Sequence, residues 1–313
     1  MSKTAFLFPG QGSQSVGMGR DLSLAFPVAR QTFEEANDAL GFDLAELCFH
    51  GPEEQLRLTE FTQPAIFTVS VAALRVLAEA GVTADYLAGH SLGEYSADVA
   101  AGAIEFAAAA RAVRRRGQLM QQAVPAGQGS MAAVLGMQAD AVAALCQDAS
   151  KETGTPVEPA NLNSPEQIVI SGATGAVERA IALAKERGAR RAVLLQVSAP
   201  FHCSLMRPAQ DALAPILQEI PFASARVPVV VNVDATPVTD GAALRDALIR
   251  QVTGAVRWTE SMQLLVAGGV TTFIEVGPGK VLSGLLRQID RSQKCAQVED
   301  PASLEKLLVN LSA

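Results

Sequence analysis

Five residues, Gly89-His90-Ser91-Leu92-Gly93, constrain this chain more than any other feature. The apolar run before them, Asp85-Tyr86-Leu87-Ala88, reads as a short buried strand, and the alanine-rich stretch Glu94 to Ala101 has helical spacing. A serine between glycines at a strand-to-helix junction has the form of a nucleophile elbow. The glycines permit a tight backbone. A helix starting at Leu92 offers unpaired N–H groups and a positive dipole end to negative charge developing beside Ser91. Ser91 is therefore the first candidate for a nucleophile.

The rest of the chain must supply layers on which such a turn can sit. The first 124 residues alternate short apolar strands, Thr4 to Phe8 and Tyr86 to Ala88, with longer helix-like stretches, the pattern of an α/β architecture. From Gly129 the order changes. A strand at Ser130 to Leu135, a helix near Ala139 to Lys151, strands near Val157 to Leu162 and Gln167 to Ser171, a helix at Ala176 to Arg187 and a strand at Arg191 to Val197 give β-α-β-β-α-β. The α/β pattern then resumes with strands at Val229 to Val233 and Thr272 to Val276, and with helices near Ala242 to Gln251, Thr259 to Ala267 and Val281 to Gln288. The expected fold is α/β: a large α/β-hydrolase-like domain with a short parallel sheet, residues 1–126 and 198–313, holding an inserted ferredoxin-like (βαββαβ) small domain, residues 127–197. Connectors at Pro125 to Gly129 and Ser198 to Pro200 are the expected crossings, with a cleft between the domains.

Bulk properties exclude several classes. A length of 313 residues, 49% hydrophobic and 18% charged, suits a soluble globular protein with a large core. The net charge of −7 argues against nonspecific nucleic-acid binding. Cys48, Cys146, Cys203 and Cys295 are scattered without C-x-x-C spacing, so neither a zinc site nor a disulfide framework is expected, and a cytoplasmic setting fits. Pro9 and Gly10 cut short the apolar run after Lys3, leaving no signal-peptide core. Glu105 and Arg111 interrupt Val99 to Val113, so no membrane span is expected there.

A serine hydroxyl needs a base, and the chain has only three histidines. His202 follows the last small-domain strand, where the chain re-enters the large domain and can face the cleft. His50 reads as a helix-end or turn residue. His90 adjoins Ser91, but neighbours on a sharp turn point in different directions, so a structural hydrogen bond suits it better. A helix over Phe106 to Val124 puts Phe106, Ala109, Val113, Gly117 and Met120 on one face with Arg116 flanking it, while Arg111, Arg114 and Arg115 project away. A half-buried Arg116 requires a partner, which a carboxylate-bearing substrate could supply. Arg190, Arg191 and Lys280 could hold an anionic ligand, though ordinary surface charge accounts for them. The turn Phe8-Pro9-Gly10-Gln11-Gly12-Ser13-Gln14 matches neither a P-loop nor a dinucleotide fingerprint, yet can bring a backbone N–H toward an oxyanion.

Four segments, Phe8-Pro9-Gly10-Gln11-Gly12-Ser13-Gln14, Gly89-His90-Ser91-Leu92-Gly93-Glu94-Tyr95, Pro200-Phe201-His202-Cys203 and Glu275-Val276-Gly277-Pro278-Gly279, together resemble the malonyl-CoA:acyl carrier protein transacylases. The resemblance spans nearly the whole chain and places the small domain between serine and histidine. It implies a ping-pong S-malonyltransferase of fatty-acid biosynthesis, in which Ser91 is acylated by malonyl-CoA, His202 shuttles the proton and Arg116 clamps the free carboxylate. It also implies an oxyanion hole from the N–H groups of Gln11 and Leu92, a Gln251 backbone carbonyl orienting the histidine, Asn161 and Asn163 lining the cleft, and Phe201 favouring malonyl over methylmalonyl units. The implied partners are malonyl-CoA and acyl carrier protein, to a cytoplasmic monomer that needs no metal and no cofactor beyond its coenzyme A thioester substrate.

The chain departs from the family at Thr253-Gly254-Ala255-Val256-Arg257-Trp258, where Asn-Pro often precedes the valine. Rival readings are a serine esterase or thioesterase, disfavoured by the insertion and by Arg116, and a non-catalytic carrier-docking subunit. An acyltransferase of malonate decarboxylase or of a polyketide pathway has the same chemistry with another carrier.

Overall fold

The computed structural model describes residues 3–197 and 199–312. Ser198, placed above in the second crossing and at the start of the resumed large domain, lies outside them. The strands are β1 (Lys3–Phe8), β2 (Tyr86–Gly89), β3 (Gly129–Leu135), β4 (Val157–Ser164), β5 (Gln167–Ala173), β6 (Arg191–Leu194), β7 (Val229–Val231), β8 (Thr236–Val238), β9 (Val270–Val276) and β10 (Cys295–Val298). They form a six-stranded sheet of order β10-β9-β1-β2-β7-β8 and a four-stranded sheet of order β4-β5-β3-β6. The protein is thus mixed α/β, with a mainly parallel sheet and a second, smaller sheet.

Alternation along β1 explains why the larger sheet is covered on both faces. Phe6 and Phe8 enter the core beneath the helices Pro27–Leu40, Thr59–Glu79 and Phe106–Gln122. Ala5 and Leu7 enter the opposite core, with Ala88, Val230, Trp258, Met262 and Leu282. Side chains of a strand alternate between faces, so a parallel sheet sandwiched by helices reads as one continuous apolar run. Pairing is parallel from β10 through β7, and only β8 runs antiparallel, at the edge.

The smaller sheet is antiparallel throughout. Helices Ala139–Thr153 and Thr174–Glu186 cover one face, packing Val142, Leu145, Val177 and Ala180 on Ala132, Val134, Ile168 and Ile170. The alternate residues Met131 and Val169 turn toward the larger body. The sheet is fastened there through backbone bonds, Leu162 N–H to Val256 O at 2.9 Å and Val256 N–H to Ala160 O at 2.8 Å.

Two strands end earlier than expected. β6 ends at Leu194, short of Val197. β7 ends at Val231 because Asn232 leaves the ladder to bond elsewhere. The edge strands β8 and β10 carried no clear pattern in the sequence. The helix Thr59–Glu79, not weighed above, is long and apolar enough to cross a membrane, but most of it is buried in the core of this fold.

Candidate active site

Ser91 follows β2 and precedes the helix Gly93–Ala100. Its φ of 52° is left-handed, a strained conformation for a residue with a side chain. The flanking glycines permit the turn by close approach. A Cβ on Gly89 would lie 1.9 Å from the Gly93 carbonyl carbon, and one on Gly93 would lie 2.1 Å from the Phe8 carbonyl oxygen.

The strained turn aims the hydroxyl at His202. Ser91 Oγ is 2.7 Å from His202 Nε2, and on the far side of the ring Nδ1–H donates to the Gln251 carbonyl at 2.9 Å and the Gly254 carbonyl at 3.2 Å. Two carbonyl acceptors fix the proton on Nδ1, leaving Nε2 to accept the serine proton. Burial, with Arg116 close by, holds the imidazole down at about 3, so it is neutral near pH 7. His202 itself has a φ of 60°. The Gly254 carbonyl belongs to the segment that departs from the family pattern, and the Gln251 carbonyl nonetheless reaches the ring.

Arg116 is deeper than the half-buried position expected of it, at 1% exposed. Its guanidinium donates from Nη2 to Ser91 Oγ at 3.0 Å and to Gln251 Oε1 at 2.8 Å, and from Nη1 to Gln63 Oε1 at 2.8 Å. Neutral amides therefore hold the cation in place, and burial lowers its pKa. Arg111 and Arg115 are exposed as expected. Arg114 is not: it is half-buried, lies 4.5 Å from the Phe42 ring centre and donates to the Leu40 carbonyl.

A second set of bonds ties down the serine backbone. Asn232 Oδ1 accepts from Ser91 N–H at 2.7 Å, its Nδ2 donates to the Gly89 carbonyl at 2.6 Å, and Gln251 Nε2 donates to the Ser91 carbonyl at 2.9 Å. Glu94 Oε2 accepts the Asn232 N–H at 2.7 Å. Burial pushes Glu94 up to about 7. Gln63, Asn232 and Glu94 had not been singled out. Their one signal in the sequence is a polar residue inside an apolar element, which names no partner.

Ser91, His202, Arg116 and Gln63 line a cavity of about 250 Å³ that also includes Gln11, Leu92, Asn161, Asn163 and Phe201, each expected in the site. Among the described residues the Gln11 and Leu92 N–H groups donate no hydrogen bond, which leaves both available to an incoming oxygen. Asn163 Oδ1 accepts from His90 Nε2 at 2.8 Å, a structural bond that accounts for His90. The exposed His50 ends the helix Leu44–His50, paired with Glu46 and away from the cavity. Arg190 pairs with Glu166 at the surface, and Arg190, Arg191 and Lys280 do not line the cavity. Glu275 accepts the N–H groups of Leu282 and Ser283, so its strand-turn-helix junction caps the helix Val281–Ile289, whose Val281, Leu282 and Leu285 form one wall. The cysteines are unpaired, and no metal-binding cluster occurs among the described residues.

The arrangement can make an alkoxide-like oxygen with a neutral base on one side and a fixed cation on the other. Residues 5–307 match the model of the acyl transferase domain family. The chain is 50% identical over 311 residues to the malonyl CoA-acyl carrier protein transacylase of Bacillus subtilis (strain 168), covering 99% of this chain and 98% of that one. The enzyme of that name from Escherichia coli (strain K12) is 49% identical over 309 residues, covering 98% and 99%. An acyl carrier protein S-malonyltransferase from Vibrio cholerae superposes with a TM-score of 0.95 at 51% identity, covering 98% of this chain and 100% of that one. A malonyl-transacylase solved in complex with a type II PKS acyl-carrier protein superposes with a TM-score of 0.96 at 48% identity, covering 99% and 100%.

Proposed function

The chain belongs to the acyl transferase domain family, among the malonyl CoA-acyl carrier protein transacylases, and from that premise we propose that it moves a malonyl group from malonyl-CoA to the phosphopantetheine thiol of acyl carrier protein through a malonyl-Ser91 intermediate. The observation that carries this reading is the pair of contacts on one atom: Ser91 Oγ lies 2.7 Å from the neutral His202 Nε2 and 3.0 Å from the Arg116 guanidinium.

In the first half-reaction Ser91 Oγ bonds to the thioester carbonyl carbon and its proton passes to His202 Nε2. The carbonyl oxygen becomes an oxyanion within reach of the Gln11 and Leu92 N–H groups, and such donors each contribute about 3 to 4 kcal/mol to the transition state. The C–S bond then breaks, and the coenzyme A sulfur takes the proton from His202. In the second half the carrier thiol gives its proton to His202 and attacks the ester carbonyl. The C–Oγ bond breaks and Ser91 regains its proton. Arg116 meets the free malonyl carboxylate as a planar fork, a pairing that acetyl groups cannot offer. Gln251 orients His202 through its carbonyl, while Asn161, Asn163 and Phe201 line the path of the acyl thioester.

The site draws every one of these groups from a single chain, which supports a monomer as the working unit. The buried, unpaired Cys48, Cys146 and Cys203 suit a reducing cytoplasm, and fatty-acid synthesis is the proposed setting, with no cofactor required. The antiparallel order β4-β5-β3-β6 with two helices on one face supports describing residues 127–197 as a ferredoxin-like domain, set into a hydrolase-like domain of residues 1–126 and 198–313.

Incubation with malonyl-CoA followed by intact mass and peptide mapping tests the proposal. A malonyl adduct on Ser91 that persists in buffer and moves to acyl carrier protein bearing its phosphopantetheine arm is the expected result. No adduct, or one lost to water as fast as to carrier, overturns it.

A further inference from the structure

Left-handed backbone at Ser91 has to be held, and the hydrogen bonds that hold it form a closed ring. The Asn232 carboxamide spans the turn, accepting from Ser91 N–H and donating to the Gly89 carbonyl. Only a side chain with both a donor and an acceptor can do this. Asn232 lies one residue beyond the end of β7, so the sheet does not engage its own N–H. Glu94 Oε2 engages it at 2.7 Å, and both residues are wholly buried. Glu94 stands in the first turn of the helix that follows Ser91, and its N–H returns to the Ser91 carbonyl at 3.1 Å. The ring therefore runs from Ser91 to Asn232 to Glu94 and back to Ser91.

We propose that Glu94 is a positioning residue for the nucleophile: by accepting the Asn232 N–H it fixes the side chain that spans the turn and holds Ser91 where its hydroxyl meets His202 and Arg116. This rests on Ser91 being the acylated residue. Glu94 also lies beside Arg116, and its Oε1 has no hydrogen-bond partner among the described residues. A glutamine at this position keeps an oxygen acceptor for Asn232 and places its NH₂ where that unpartnered oxygen now stands. An alanine removes the acceptor. The role acts on the serine and not on the acyl carboxylate, so malonyl and acetyl thioesters share the loss. Arg116, by contrast, discriminates between them.

The test is a double-mutant cycle on the rate of Ser91 acylation, begun with the wild type. Displacement of a reacting atom by about 1 Å costs on the order of 100-fold in rate. E94A and N232A are each expected to lose about that factor in kcat, with KM changed less than about 3-fold, for malonyl-CoA and for slow acetyl transfer alike. The double variant is expected to lose no more than about 5-fold beyond either single one, because both break the same ring. E94Q is expected to fall within about 5-fold of wild type. E94D, one methylene shorter, carries the cycle if E94A does not fold. Multiplicative losses in the double variant, a wild-type rate in folded E94A, or a loss confined to malonyl-CoA overturn the inference. Absence of acylation in the wild type overturns the function proposed above instead.

Discussion

Around Ser91 the larger sheet buries charge, strain and amides, whereas the smaller sheet buries aliphatic side chains in an ordinary amphipathic core. Arg116, Glu94, Asp98, Asn232, Gln251 and His202 are all within 4% of full burial on the larger body. Burial, with Glu94 beside it, pushes Asp98 well above the usual carboxylate range. Such groups cost stability unless they are hydrogen-bonded, and they are kept where a fixed polar frame is useful. To the cavity the smaller sheet contributes only neutral amides, Asn161, Asn163 and Gln167, and apolar side chains such as Met131 and Val169. On the function proposed above, the larger body carries bond making and the carboxylate clamp, and the smaller lines the path of the acyl thioester.

The hardest blow to that division would come from Ser91→Ala. Loss of the proposed nucleophile is expected to reduce transfer by about 10⁴-fold or more, with no adduct by mass; an adduct that survives on another residue would move the chemistry elsewhere. Next comes Arg116→Ala. Removing a buried charged donor from a carboxylate is expected to slow malonyl transfer about 100-fold more than acetyl transfer. Equal losses for the two donors would remove Arg116 from carboxylate recognition and leave it a brace for Gln63 and Gln251.

Buried charge also makes the larger body the source of pH dependence. Glu94 stands at about 7 in the folded protein against 4.5 for a free glutamate. The native state keeps a proton that the unfolded chain releases, so stability falls as pH rises from about 4.5 through 7. His202 has the opposite sign. At about 3 against 6.5, it makes the unfolded chain the stronger proton binder, and stability falls as pH drops from about 6.5 toward 3. Between about 4.5 and 6.5 the two slopes oppose each other, so thermal melts from pH 4 to pH 8 are expected to plateau there and to fall on either side, and Glu94→Gln is expected to remove the alkaline decline alone. An unchanged alkaline decline would put that titration on another group. By the same reasoning acylation should show no limb near pH 6.5, since His202 is already neutral there.

Much of this was legible in the chain, for local reasons. The elbow is written in five consecutive residues, His202 emerges from a choice of three, and the helix Phe106–Gln122 follows from its apolar period. The βαββαβ order was readable because each element packs one clean face. What stayed hidden depends on distance. Gln63 meets Arg116 across 53 positions, and Asn232 meets Ser91 across 141 and Glu94 across 138. A lone amide among valines marks a buried polar group without naming its partner. The edge strands β8, Thr-Pro-Val, and β10, Cys-Ala-Gln-Val, lack the continuous apolar run of the central strands because an edge is covered less completely.

The smallest expected effect sharpens the comparison most, because it concerns the one hydrogen bond described above that links a β4 side chain to the elbow. Asn163 Oδ1 accepts from His90 Nε2 at 2.8 Å, and His90 is the residue just before Ser91. A neutral hydrogen bond contributes about 0.5 to 1.5 kcal/mol net, or roughly 2- to 10-fold in an equilibrium constant. If the smaller sheet grips the substrate and takes no part in bond making, Asn163→Ala should raise KM for malonyl-CoA within that range. The acylation rate at saturation should stay within about 2-fold of wild type, since uniform binding leaves kcat alone. Transmission of the loss through His90 to the elbow would give the opposite split, a lower kcat at unchanged KM. Burial lowers the pKa of His90 and keeps its ring neutral, so the bond does not carry a charge that could amplify its loss. A kcat effect of 100-fold, equal to that expected for Asn232→Ala, would make Asn163 part of the frame that holds the nucleophile and would erase the boundary between the two sheets.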